Sequence, residues 1–221
     1  MTQRRRITGL SSGAWAVVCL GLALAQEATF IPGDVIVRFR SGAPGAQAAA
    51  RTAASGAGAE AALAATLRSL SDDLGVPLQF KRLGGGGDLL LAVDRARLED
   101  RLLTSLREVG SLAGVEPVQD GLEPEAPRQG LRVRFARGSA EAAEVARAAA
   151  RAGSPEPVGP LEALRRLQSH VGCPLVSRIE PSGELVVEPD LTALSRQLAE
   201  RLSSRPDVEY AQLNYVAQIR P

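Results

Sequence analysis

Two rhythms of apolar residues run along this chain. Val35, Val37 and Phe39 alternate with Ile36, Arg38 and Arg40, the period of two expected of a strand with at least one solvated position. An alanine-rich helical stretch follows, breaks at Ser55-Gly56-Ala57-Gly58, and resumes with Leu63, Leu67, Leu70 and Leu74 as a single apolar helix stripe. Gly75, with Pro77 two places on, ends that helix. Two short strands are expected over Leu78–Leu83 and Asp88–Val93, joined by a turn at Gly84-Gly85-Gly86-Gly87. Leu98, Leu102, Leu106 and Val109 then mark a second helix, and a last strand lies around Val115.

The whole pattern then recurs. Val37-Arg38-Phe39 returns as Val133-Arg134-Phe135, Gly75-Val76-Pro77-Leu78 as Gly172-Cys173-Pro174-Leu175, and Gly87-Asp88-Leu89 as Gly183-Glu184-Leu185, at offsets of 96, 97 and 96. The second copy has its helix break at Gly153-Ser154-Pro155-Glu156-Pro157 and its first stripe at Leu161, Leu164, Leu167 and Val171. Its strands are expected at Leu175–Ile179 and Glu184–Val187, its second stripe at Leu191, Leu194, Leu198 and Leu202, and its last strand at Val208. The element order is therefore βαββαβ twice, which predicts an α+β protein of two tandem ferredoxin-like plaits, each an antiparallel sheet covered by helices. The expected division is 29–119 for the first plait, an acidic, proline-rich linker at 120–128, and 129–221 for the second with a C-terminal tail. Each plait is expected to have its own core.

Upstream of the repeats, Arg4, Arg5 and Arg6 precede an apolar run from Ala14 to Ala25 that closes on Ala23-Leu24-Ala25. This is the pattern of a signal peptide covering residues 1–25, with cleavage expected between Ala25 and Gln26. The arginines leave the export route open between the general secretory and twin-arginine systems. Cys19 falls inside the signal, with Val18 where lipoprotein processing needs a small residue. Cleavage removes three of the 26 basic residues and none of the 25 acidic ones, so the mature chain carries a net charge of −2. That balance, with 3% aromatic residues, excludes a nucleic-acid surface built on basic excess and base stacking. No further apolar run is long enough to span a bilayer, so a secreted or periplasmic product free of the membrane is expected.

The inventory of reactive side chains is short. The mature chain has one histidine, His170, and one cysteine, Cys173. By the repeat they stand where the first copy has Asp73 and Val76, a helix-end polar residue and an apolar filler, so neither a Cys/His nucleophile nor a metal centre is expected. The four-glycine run lacks the Lys-Ser or Lys-Thr of a phosphate loop and reads as a flexible hairpin turn. Glu184, Glu188 and Asp190 read as solvated charges at a strand and its exit. No catalytic residue, metal or cofactor is assigned.

The closing segment Pro206-Asp207-Val208-Glu209-Tyr210-Ala211-Gln212-Leu213-Asn214-Tyr215 resembles the end of the propeptides of subtilisin-like serine proteases, a family that includes free-standing protease inhibitors. Pro32-Gly33-Asp34-Val35-Ile36-Val37-Arg38-Phe39 and the hairpins Lys81–Leu89 and Arg178–Val187 fit the same pattern. The resemblance implies a plait that packs its sheet face on the protease, assists its folding, and sends its C-terminal strand into the active-site cleft. Asn214, Tyr215, Val216, Ala217, Gln218, Ile219, Arg220 and Pro221 would be the binding tail. Gln212 and Leu213 stand where the family often has acidic residues. The tail expectation falls on the second copy alone, because the first runs from Val115-Glu116-Pro117 straight into the linker. The expected partner is a subtilisin-like protease, bound in trans; the alternative is a secreted interaction module of the same fold that inhibits nothing.

Overall fold

A computed structural model describes residues 29–55, 58–119, 128–151, 161–180 and 182–216. The first repeat contributes β1 (Phe30–Phe39), α1 (Pro44–Ala53), α2 (Ala59–Leu74), β2 (Leu78–Leu83), β3 (Leu89–Val93), α3 (Arg95–Arg107) and β4 (Leu112–Gln119). The second contributes β5 (Arg128–Phe135), α4 (Ala140–Arg151), α5 (Glu162–Val171), β6 (Leu175–Ile179), β7 (Leu185–Pro189), α6 (Leu191–Ser203) and β8 (Val208–Tyr215). The protein is α+β, with two four-stranded antiparallel sheets and six helices among the described residues.

Local chemistry explains most boundaries. Gly75 and Gly172 take left-handed φ of 69° and 65°, the backbone that stops α2 and α5. Asp94 and Asp190 cap α3 and α6, their carboxylates accepting from the amides of Arg97 at 3.2 Å and Ala193 at 2.9 Å. The expected first-copy helix break falls between α1 and α2; that of the second copy, at 153–157, lies outside the described residues. β5 starts at Arg128, inside the expected linker, whose residues 120–127 lie outside the description. Asp88 and Glu184 sit just before β3 and β7 rather than within them.

Strand pairing departs from the division into 29–119 and 129–221. The sheets run β2-β3-β1-β8 and β4-β5-β7-β6, so each repeat's last strand lies on the other repeat's sheet. The helix before it crosses as well: α6 packs on β1 and β8, while α3 packs on β4 and β5 and against α5. The physical reason is plain for β4 and β5. They are successive strands separated by residues 120–127, and an antiparallel hairpin closes a short loop at small entropic cost. β8 then fills the place beside β1 that β4 has left. The buried side chains of both repeats form one contiguous cluster, which includes Val37, Leu89 and Leu106 with Leu167, Leu185 and Leu202. The expected separate cores are thereby replaced by a shared one.

Candidate protein-interaction site

Helices cover one face of each sheet and leave the other open. On the first sheet, the alternation of β1 turns Val35, Val37 and Phe39 into the core and leaves Asp34, Ile36 and Arg38 on the open side. Asp34 is only 2% exposed, yet it is fully partnered. Its carboxylate accepts from Lys81 Nζ at 2.8 and 3.0 Å and from Asn214 Nδ2 at 3.1 Å. This ties β8 to β1 through a charge-assisted hydrogen bond at a buried position.

A second tie sits four residues along. Arg38 Nε donates to Asp88 Oδ1 at 2.8 Å, the Tyr210 hydroxyl donates to the same oxygen at 2.7 Å, and the guanidinium lies 5.2 Å from the centre of the Tyr210 ring. The hydrogen bond to Asp88 holds the Tyr210 phenol above its ordinary pKa, with desolvation and the Asp88 charge adding to it. The Asp88 hydrogen bond likewise raises Arg38. Below the sheet, Gly33 N donates to Ser195 Oγ at 2.7 Å, Arg201 Nη1 to the Leu74 carbonyl at 2.7 Å, and Arg205 Nη1 to Asp73 at 2.8 Å. The α6–β8 unit is thus bound to the first repeat at every level. The strand leading into the tail belongs to the second repeat but is seated on the first repeat's sheet.

Of the tail residues, Asn214 is buried against Asp34, and Tyr215 and Val216 are exposed; Ala217, Gln218, Ile219, Arg220 and Pro221 lie outside the described residues, as do Ala25 and Gln26. The last rung of the β1–β8 ladder is Val216 N to the Thr29 carbonyl at 2.8 Å. Beside it the rings of Phe30 and Tyr215 meet edge to face, 6.3 Å between centroids. Ile31, Tyr215 and Val216 are 41%, 53% and 47% exposed near this end of β1 and β8.

The open face of the second sheet is different in kind. Arg132 pairs with Glu180 and Glu184, Arg134 with Glu116 and Glu184, and Arg178 with Glu188. Glu184 and Glu188 are therefore ion-paired rather than simply solvated, and Asp190 is the cap of α6. The glycine run forms a short turn between β2 and β3 in which Gly84 N donates to the Asp88 carbonyl at 2.7 Å.

Cys173 is buried in a cleft of about 450 Å³ where the repeats meet, against Val76, Leu98, Leu102 and Val171. Desolvation, with a smaller contribution from the Asp190 charge, pushes its thiol up to about 11, the opposite of what a nucleophile needs. Its Sγ contacts the Pro174 carbonyl, whereas exposed His170 has Nε2 3.2 Å from the Ser105 carbonyl, so each ring or thiol has a different partner. Among the described residues no group of three or more His, Cys, Asp or Glu is placed to hold a metal ion, and no helix is long and apolar enough to cross a membrane.

Comparison with protein-family models, with curated proteins and with solved structures finds no match. The sites that sequence reasoning missed are Asp34, Lys81, Asp88 and Tyr210. Their signal was the unequal repeat: the equivalents of Asp34 and Tyr210 are Gly130 and Gly114.

Proposed function

We propose that this is a secreted, propeptide-like protein that binds a subtilisin-like serine protease in trans, with residues 1–25 removed on export. In this reading each sheet with its helices is a ferredoxin-like plait whose fourth strand and second helix come from the other repeat. The strand order β2-β3-β1-β8 supports it. The observation that carries the binding proposal is the end of β8 on the sheet edge: Tyr215 and Val216 are exposed there, at the point where the chain runs on towards Arg220. An extended segment leaving an edge strand binds by pairing its backbone with strands of a cleft, a mode that depends more on the presence of the strand than on its side chains. The first sheet's open face, with Ile36 at its centre, would lie against the protease, and the second sheet's ion-paired face would remain in solvent. A non-inhibitory interaction module is the second reading, favoured by exposed Gln212 where the family often carries an acid.

The test is titration of the mature chain, residues 26–221, against a panel of secreted subtilisin-like proteases, beside a form ending at Val216. Inhibition by the first that weakens at least about tenfold in the second supports the proposal. Equal potency of both forms ends the tail mechanism, and no binding to any member of the panel leaves the interaction module.

A further inference from the structure

The two repeats pair their last strands in the same register. Val35 to Phe39 of β1 face Leu213 to Val208 of β8, and the equivalent Leu131 to Phe135 of β5 face Pro117 to Leu112 of β4. Backbone geometry alone therefore lets β4 sit on β1, and β8 on β5, as well as it allows the observed exchange. The short β4–β5 connection lowers the entropic cost of the exchange without excluding the alternative, so side chains share the decision. We infer that a set of half-specific pairs selects the exchanged partner, making the two halves obligate complements rather than independent modules.

Four contrasts carry this. Buried Asp34 receives Asn214; from its own repeat it would meet Val118 and lose that donor. Asp88 receives the Tyr210 hydroxyl, where its own repeat offers Gly114. Glu116 lies opposite Arg132 and bonds Arg134 at 2.6 Å, whereas on its own sheet it would lie opposite Ile36. Asp73 pairs with Arg205, whose equivalent is Val109, and an unexchanged Arg205 would instead come to His170. The second sheet makes its own compensation for lacking Asp34. Gly130 stands there, and a Cβ on it would lie 2.5 Å from Glu188 Cγ, so the acid that serves Arg178 has moved from β5 to β7. Each sheet thus holds one acid for its β-hairpin cation, but only the first presents that acid to the incoming strand.

The test uses the full mature chain and no protease. Val37→Cys, Val115→Cys and Ala211→Cys are introduced together with Cys173→Val, so that the thiol at position 37 can close on 211, its observed partner, or on 115, its partner within the repeat. All three sites are small, apolar and outside the selecting pairs, and paired Cα positions across antiparallel strands suit a disulfide. After oxidation, peptide mapping of the monomer is expected to find 37 joined to 211 in at least about tenfold excess. A 37–115 disulfide, or one joining two chains, overturns the inference. Adding Tyr210→Phe and Asn214→Leu, which keep volume but remove both donors, is expected to cut that excess by about tenfold or more; an unchanged excess also overturns it. Should that variant fail to fold, Asp73→Ala removes the acid that Arg205 reaches across the repeats, leaves the Arg205–Asp207 pair in place, and is expected to lower the excess about twofold.

Discussion

Asp34 is the residue on which the seating of β8 turns. Its two partners lie 47 and 180 residues away in sequence, so no local pattern could have shown that it is buried. The alternation of β1 placed it correctly on the strand; its environment is a tertiary fact. Asn214→Ala should cost about 1.5 to 3 kcal/mol, the usual loss for a hydrogen bond to a charged group, seen as a lower urea midpoint with an unchanged slope. An unaltered midpoint would mean that water replaces the amide. Cys173 was legible, because its equivalent is Val76. Cys173→Val should change stability by less than about 1.5 kcal/mol near neutral pH. Its pH effect follows from the raised thiol: the folded state keeps the proton to about 11 while the unfolded chain releases it near 9, so the thiol's contribution is intact below pH 9 and is lost as pH rises towards 11. Denaturation followed across that interval should therefore show a shallower decline for Cys173→Val. Tyr210 has the same sign, and Tyr210→Phe should lessen the loss of stability above about pH 10.

At the scale of elements, the leucine stripes and the glycine stops located α2, α3, α5 and α6, and the pattern located β2, β3, β6 and β7 to within two residues, while β1 and β5 start about five residues before their expected anchors. What could not be read was which sheet each last strand joins. Alternation fixes a strand's register and inward face, and β4 and β8 share both, so hydrophobic pattern is silent on the partner. The discriminating information sits in polar residues on the open faces, which an apolar-pattern reading treats as solvated. Asp190 is such a residue. The sequence pattern predicts a solvated surface charge there, whereas its carboxylate starts the helix that leads into β8. Asp190→Ala should cost about 1 kcal/mol as a lost cap. Because α6 and β8 are continuous with one another, hydrogen exchange should quicken in both, and in β1 beside them; a change confined to the first turn of α6 would show that the helix frays without loosening the strand.

For the whole molecule, the exchange changes what unfolding means. Tandem domains with separate cores would melt independently, and a mutation in one would move one transition. Here Leu106, of the first repeat, is buried beneath the second repeat's sheet, and Leu202, of the second, beneath the first repeat's sheet. Neither sheet can keep its cover if the other repeat unfolds, since α3–β4 and α6–β8 would both be withdrawn. A single cooperative transition is the consequence, with far-UV circular dichroism and Trp-free probes of either sheet coinciding. Leu106→Ala and Leu202→Ala, made at side chains with about 0% and 1% exposure, should each cost about 2 to 5 kcal/mol and should displace that one transition as a whole. Placing a fluorescent label on Gln79 in one protein and on Val176 in another reports each sheet separately. If Leu106→Ala shifted the Val176 report while leaving the Gln79 report in place, the shared core would not be acting as one unit, and the exchange would bind the halves topologically without coupling them energetically. Coincident shifts in both reports, from either substitution, are what the interleaved core requires.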